Sequence, residues 1–133
     1  MSTYLTIYIQ PKGGKPINLI SYTSSSEVYQ YFRENIDIVY LNDNSDKYTE
    51  LTSEKINNIL HDVESDLHKI KARLEIYGQH AHGNIDVLNE IVELQESYDT
   101  LLYVKHIVLF IDELIHEGFY LETGKNKILC NIG

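Results

Sequence analysis

The chain has 133 residues, of which 43% are hydrophobic, and its 20 acidic and 11 basic side chains give a formal net charge of -9. This length is typical of one domain, so we expect a single domain over residues 1–133. The acidic balance argues against a protein that binds nucleic acid directly through its phosphates, because such a protein needs a basic surface.

The first segment of the chain predicts a β-hairpin. Leu5, Ile7 and Ile9 fall at every second position, so they share one face of a strand, and residues 17–22 return as a second strand. Between them, residues 11–16 read Pro-Lys-Gly-Gly-Lys-Pro, which is turn sequence because glycine accepts positive φ. We therefore expect an N-terminal hairpin with one face in the core.

A short helix and two further strands are predicted next. Ser24 followed by Glu27 three residues later is a capping box, and it opens a helix that ends near Asn35. Residues 36–41 are apolar and β-branched, which favours a third strand, and residues 48–51 favour a short edge strand.

The middle of the chain predicts two long helices. Apolar residues recur at alternating steps of four and three, the heptad spacing of a helix that packs lengthwise on another helix. The first helix is expected over residues 53–77, with Thr52 as its N-cap and Gly78 as its stop, and the second over residues 85–117, folded back antiparallel. The predicted seams are Ile56, Leu60, Val63, Leu67, Ile70, Leu74 and Tyr77 on the first helix and Ile91, Leu94, Tyr98, Leu101, Val104, Val108, Ile111 and Ile115 on the second.

The second helix carries a further apolar stripe in its C-terminal half, and we expect the sheet to cover it. The first helix, about 37 Å long at about 1.5 Å per residue, is longer than a small sheet, so its distal half is expected to meet another chain or stand in solvent. The residues of the second stripe are Leu102, His106, Leu109, Phe110 and Leu114.

Residues 119–122 and 127–132 predict a C-terminal β-hairpin. The predicted fold class is therefore α+β. A small antiparallel sheet of about four to six strands, from residues 3–51 and 119–132, carries N- and C-terminal hairpins, one short helix and an inserted long antiparallel helical hairpin at residues 52–118.

The localisation expected from the sequence is cytoplasmic. The first residues hold no basic region followed by an apolar stretch, so no secretory signal is recognised. The one cysteine, Cys130, is expected to be a buried strand residue, whereas a small secreted domain usually carries paired cysteines. The apolar-rich run 101–115 is interrupted by charged side chains, which predicts a buried helix and no membrane span.

The sequence shows no catalytic, cofactor-binding or metal-binding signature, so we predict no such residues and no cofactor. His61, Glu64 and His68 lie on one surface of the first helix, but they lack the spacing of a zinc protease. The other histidine candidates for a metal site are interpreted as solvated polar residues, namely His80 and His82 in the turn and His116 with Glu113.

Tyrosine is abundant, with 11 copies and no tryptophan, and several tyrosines fall on predicted strands. Tyrosines that alternate away from the core face give a large contact area at a small entropy cost, which favours an interface between subunits. The predicted interface residues are Tyr4, Tyr8 and Tyr22. Ordinary cross-strand packing and a platform for a planar small molecule stay open as alternatives.

These features favour a non-enzymatic acidic interaction protein. We expect a homo-oligomer that acts as an accessory or inhibitor factor, of the viral or mobile-element type, by binding a protein target. If the target is itself a nucleic-acid-binding protein, acidic side chains of the helical hairpin carry the contact by resembling phosphates. The predicted contact residues are Asp62, Glu64, Asp66, Glu90, Glu93 and Glu96.

Two other classes of function stay open at this level. A protein that sequesters a nucleotide-like ligand between protomers would use Arg33, Arg73 or Lys12 to meet the phosphates. A metal- or carboxylate-dependent enzyme would depend on His61 or His68, or on paired carboxylates from distant segments, which leave no sequence motif. The sequence favours, without deciding, a protein that is not an enzyme.

Overall fold

The computed structural model describes residues 4–11, 13–36, 48–80, 83–117 and 127–132. Within these ranges the chain forms strands and helices in the order β1, β2, α1, β3, α2, α3, β4. Their bounds are Tyr4–Gln10 for β1, Ile17–Thr23 for β2, Glu27–Asn35 for α1, Thr49–Glu50 for β3, Ser53–His80 for α2, Ile85–Glu117 for α3 and Lys127–Ile132 for β4.

The predicted α+β fold is confirmed. The described strands make one antiparallel sheet in the order β2-β1-β4-β3, and α2 packs on α3 as a long helical hairpin. The N-terminal β-hairpin and the edge strand near Thr49 are present as predicted. Of the predicted strand 36–41 only Ile36 is described, and the predicted strand 119–122 lies outside the described residues, so the C-terminal hairpin stays a prediction.

One hydrophobic core joins the sheet to the helices. Leu5 and Ile7 of β1 are fully buried, as the alternating pattern predicts, and they share a cluster with Phe32 of α1, which is also fully buried. Because α1 contacts β1, β2, α2 and α3, it lies as a wedge between the sheet and the helical hairpin. The burial of this apolar area is the main favourable term in the stability of such a core.

The N-cap of α1 differs from the prediction. It is Ser26, whose Oγ accepts a hydrogen bond from the N–H of Val28 at 3.2 Å. The carbonyl of Ser24 instead accepts a hydrogen bond from the side chain of Gln30 at 2.9 Å. The predicted capping box of Ser24 with Glu27 is therefore wrong, because only the residue directly before Glu27 places its hydroxyl over the unpaired N–H groups of the first turn.

The buried face of α2 is rotated from the predicted heptad seam. Ile56, Val63 and Leu67 are buried as expected, but Ile59 is also fully buried while Leu60 is only half-buried. This difference arises because α2 packs against α1 as well as α3, so its apolar stripe must serve two neighbours.

The first long helix also runs past its predicted stop. α2 ends at His80 instead of near Tyr77, and Gly78 lies inside it without a positive φ. The left-handed backbone of the connection falls on Gly83, whose φ is +74°. The predicted role of Gly78 as a C-terminal stop is therefore wrong, because the next glycine along the chain takes it.

This assignment of the two glycines predicts opposite effects of alanine. Gly78→Ala should raise the free energy of unfolding by about 0.5–1 kcal/mol, because alanine loses less backbone entropy in a helix and a Cβ there meets nothing within 4 Å. Gly83→Ala should lower it by about 1–2 kcal/mol, because its φ is strained for an L-residue. Urea unfolding followed by circular dichroism measures both, and a loss at Gly78 would contradict the helical assignment.

The outer side of α3 is covered less than predicted. Of the second stripe only Leu114 is buried, whereas Phe110 is 54% exposed and His106 is also exposed. The expectation that the sheet covers this stripe is wrong for Phe110 and His106, whereas Leu102 and Leu109 are half-buried. Among the described strands, α3 meets the sheet mainly at β4. The seam residues of α3 that are buried on the side of α2 are Leu101, Val104, Val108 and Ile111, and the exposed apolar residues at its far end are Ile85, Leu88 and Val92.

Candidate partner-binding groove

Two hydrogen bonds fasten α1 to one side of the helical hairpin. The hydroxyl of Tyr31 donates to Oδ2 of Asp66 at 2.5 Å, and the side-chain amide of Asn35 donates to Oδ2 of Asp62 at 3.0 Å. The two donors, Tyr31 and Asn35, are four residues apart on α1, and the two acceptors, Asp62 and Asp66, are four residues apart on α2. Each set therefore lies on one face of its helix. Asp62 and Asp66 therefore anchor α1 on α2.

A groove of about 660 Å³ lies beside this contact, where α1 meets α2 and α3. Carboxylates reach it from all three helices, and the one cation among its described lining residues is Lys69. Ile70 and Leu101 add apolar surface. The acidic lining residues are Glu27 of α1, Asp66 of α2, and Glu93 and Glu96 of α3.

The hydrogen bond between Tyr31 and Asp66 holds one wall of the groove in place. Burial, and then the hydrogen bond and charge of Asp66, raise the pKa of Tyr31 well above its usual value. The hydroxyl therefore keeps its proton and continues to donate to Asp66. Glu93 and Glu96 on the opposite wall are exposed. Carboxylates around apolar surface suit a lysine or arginine side chain, whose stem is apolar and whose head is cationic.

The six predicted contact residues separate into different places. Asp66, Glu93 and Glu96 line the groove, as described, and Asp62 lies beside it through its bond to Asn35. Glu90 lies farther along α3, where its hydrogen bond raises the pKa of Tyr77.

Glu64 lies on the other face of the hairpin. Its Oε1 is 3.5 Å from Nζ of Lys105, beside a second pocket of about 240 Å³. Glu64 is two positions from Asp66, and two positions correspond to about 200° around a helix, so the two side chains point in nearly opposite directions.

Sequence reasoning did not identify Glu27, Tyr31 and Lys69 as site residues. Glu27 was predicted to act in a capping box, and the position of α1 on the hairpin follows from tertiary packing that no local pattern encodes. The available signal is the pair of matched spacings: Glu27 and Tyr31 are four apart on α1, as Asp62 and Asp66 are on α2.

The predicted interface tyrosines occupy both faces of the sheet. Tyr4 and Tyr8 alternate with buried Leu5, so they lie on the face away from the helices, where Tyr4 is 40% exposed and the Tyr8 ring meets Tyr48 edge to face at a centroid distance of 4.9 Å. Tyr22 pairs with Leu5 and is only 9% exposed. Tyr22 is therefore on the core face and does not share a surface with Tyr4 and Tyr8.

Among the residues that the structure describes, no group of three or more His, Cys, Asp or Glu side chains is placed to hold a metal ion. His61 and His68 are exposed on α2, and Nε2 of His116 lies 3.1 Å from Oδ1 of Asp112. Cys130 is buried in β4, and burial raises the pKa of its thiol to about 12. The thiol is therefore neutral at physiological pH.

No helix in the described ranges combines the length and the hydrophobicity that a membrane span requires. Comparison of the chain with protein-family models, with curated proteins and with solved structures found no match.

Proposed function

We propose that this chain is a non-enzymatic interaction protein that binds a basic segment of a protein partner in the groove between α1, α2 and α3. The observation that carries the proposal is the convergence of carboxylates from three helices on one groove with apolar surface. A lysine or arginine that enters this groove makes charge-assisted hydrogen bonds while its stem covers apolar area.

The charge of the whole chain supports the same class of partner. A net charge of -9 attracts a basic protein over a distance and speeds its association. In the finer form of the proposal the partner is a nucleic-acid-binding protein in the cytoplasm. The acidic groove then occupies its basic surface in place of phosphates, and the chain acts as an accessory or inhibitor factor of the viral or mobile-element type.

The two other classes of function receive less support. Of the basic residues expected to meet a nucleotide-like ligand between protomers, Arg33 and Arg73 are exposed and line neither of the two pockets described above. Lys12 lies outside the described residues. For an enzyme that depends on His61 or His68, the described residues provide no cluster of metal ligands around either histidine.

Charge reversal inside the groove tests the proposal. Glu93→Lys combined with Glu96→Lys should weaken the binding of a fluorescein-labelled amphipathic leucine–lysine peptide by about tenfold or more, because each charge-assisted hydrogen bond contributes on the order of 1.5–3 kcal/mol. Fluorescence anisotropy at two salt concentrations measures the dissociation constant. Asp62 and Asp66 are unsuitable for this test, because their replacement would also release α1.

The matched control is Glu75→Lys combined with Glu113→Lys, which changes the net charge equally at exposed positions outside the groove lining. Its affinity for the peptide should stay close to that of the wild type. Equal losses in both double variants would attribute binding to net charge and overturn the groove as the site. If the wild-type chain does not bind the peptide, the proposal that the groove takes a basic segment is overturned.

A further inference from the structure

The edge strand β2 is uncharged and exposed. Among the strands that the structure describes, it lies at one end of the order β2-β1-β4-β3, and it contains neither proline nor a charged residue. Three of its apolar side chains are exposed, with Ile17 at 54%, Leu19 at 44% and Ile20 at 37%. Natural edge strands are usually protected by charge, by proline or by a covering segment, because an open edge pairs with other strands. β2 has neither of the first two protections.

The distribution of charge makes β2 the surface at which two copies of this chain approach most easily. All 20 acidic residues lie at Glu27 or beyond, and the first 26 residues contain Lys12 and Lys15 as their only charged side chains. Two chains of net charge -9 repel each other over most of their surfaces. The β1–β2 hairpin itself contributes no acidic side chain to such an approach.

We propose that β2 pairs antiparallel with β2 of a second copy, across a two-fold axis near Ile20, and joins the two sheets into one. Such an interface is isologous, so the same residues contribute from both sides. The outward N–H and C=O groups of β2 gain strand partners. Ile20 faces Ile20 of the second copy, while Leu19 lies opposite Ser21 and Ile17 opposite Thr23, so each strand covers exposed apolar side chains of the other.

The charges at the two ends of β2 favour a second copy over an unrelated extended peptide. Lys15 precedes the strand, and Glu27 follows it at the start of α1. In an antiparallel pair the start of one strand lies beside the end of the other. With the axis near Ile20, Lys15 of each copy falls opposite Ser25 of the second copy, two residues before Glu27 in the first turn of α1. This complementarity occurs twice in the dimer, once at each end.

The mass of the protein in solution tests this dimer. The wild type should elute with twice the chain mass in size-exclusion chromatography with light scattering, and Ile17→Lys combined with Leu19→Lys should reduce it to one chain mass. Leu19 is suitable because it lies at the bulge between β1 and β2, where no residue of β1 is paired with it. The matched control is Ile76→Lys with Val92→Lys, exposed 58% and 56% on the helical hairpin, which should stay dimeric.

A covalent trap keeps the test informative if the lysine variant unfolds. The single variants Leu19→Cys, Ile20→Cys and Ser21→Cys are oxidised separately, and the one whose position lies nearest the axis should give a disulfide-linked dimer. Cys130 is 1% exposed and should not react.

Three results would overturn the edge-to-edge dimer. The first is a monomeric wild type, which would leave the edge to an extended peptide of another protein. The second is the absence of a disulfide-linked dimer from all three cysteine variants. The third is a dimer that the double-lysine variant on the helical hairpin disrupts and the β2 variant does not. The leucine–lysine peptide, measured on the β2 double-lysine variant, tests the groove separately. Its binding should survive whether or not the dimer forms.

Discussion

Replacement of Phe32 by alanine is expected to lower the free energy of unfolding by about 3–5 kcal/mol. Phe32 is fully buried on α1, which lies between the sheet and both long helices. Its loss leaves a cavity in the core cluster that α1 shares with the sheet and the long helices, and close-packed neighbours fill such a cavity only in part. A domain of this size is typically stable by about 5–15 kcal/mol, so this variant would lose a large share of its stability.

The matched control for this prediction is Phe110→Ala. Phe110 is 54% exposed on α3, so the same truncation should cost less than about 1 kcal/mol. Urea unfolding followed by circular dichroism gives both values. If the two variants lose similar amounts of unfolding free energy, α1 does not lie at the centre of the core. The position of α1 that forms one wall of the groove would then be wrong as well.

Features that depend on short-range periodicity could be predicted from the sequence. The alternation around Leu5 and Ile7 identified the buried face of β1, and the apolar steps from Ile56 to Leu67 identified the helix that packs on α3. These patterns are strong because one side of β1 and of the first half of α2 is excluded from water over several successive positions.

Features that depend on a second neighbour could not be predicted in this way. Ile59 is buried because α1 also packs on α2, and Gly78 stays helical because Gly83 provides the left-handed residue. Phe110 stays exposed because the sheet reaches α3 mainly through β4. In each case the local sequence was compatible with two structures, and tertiary packing decided which of them formed.

The candidate groove could be predicted only in part. Asp66, Glu93 and Glu96 were predicted as contact residues from their charge alone, and helix geometry already separates Glu64 from Asp66 by about 200°. The fourth carboxylate, Glu27, required knowledge of where α1 docks. The charges on α2 and α3 thus line a groove only because a third helix, α1, closes one side of it.

Stability is expected to fall at alkaline pH, because three buried groups hold their protons more tightly in the folded chain. Burial raises the pKa of Cys130 from 9.0 to about 12, with Lys55 acting in the opposite direction to a smaller extent. Burial also raises the pKa of Tyr22 and of Tyr31 above the usual 10.0. Above about pH 9 the unfolded chain therefore binds fewer protons than the folded chain, and the free energy of unfolding decreases as the pH rises toward 12.

Two single variants separate the thiol from the tyrosines in this decrease. For Cys130 a difference of about three pKa units corresponds to about 4 kcal/mol, fully present below about pH 9 and lost progressively as the pH approaches 12. Cys130→Val should remove the part of the decrease that begins near pH 9, whereas Tyr31→Phe should affect only the part above about pH 10, where unfolded tyrosine titrates. Urea midpoints across this range, under reducing conditions, measure both. A Cys130→Val profile identical to that of the wild type would mean that the thiol is already accessible to water in the folded chain.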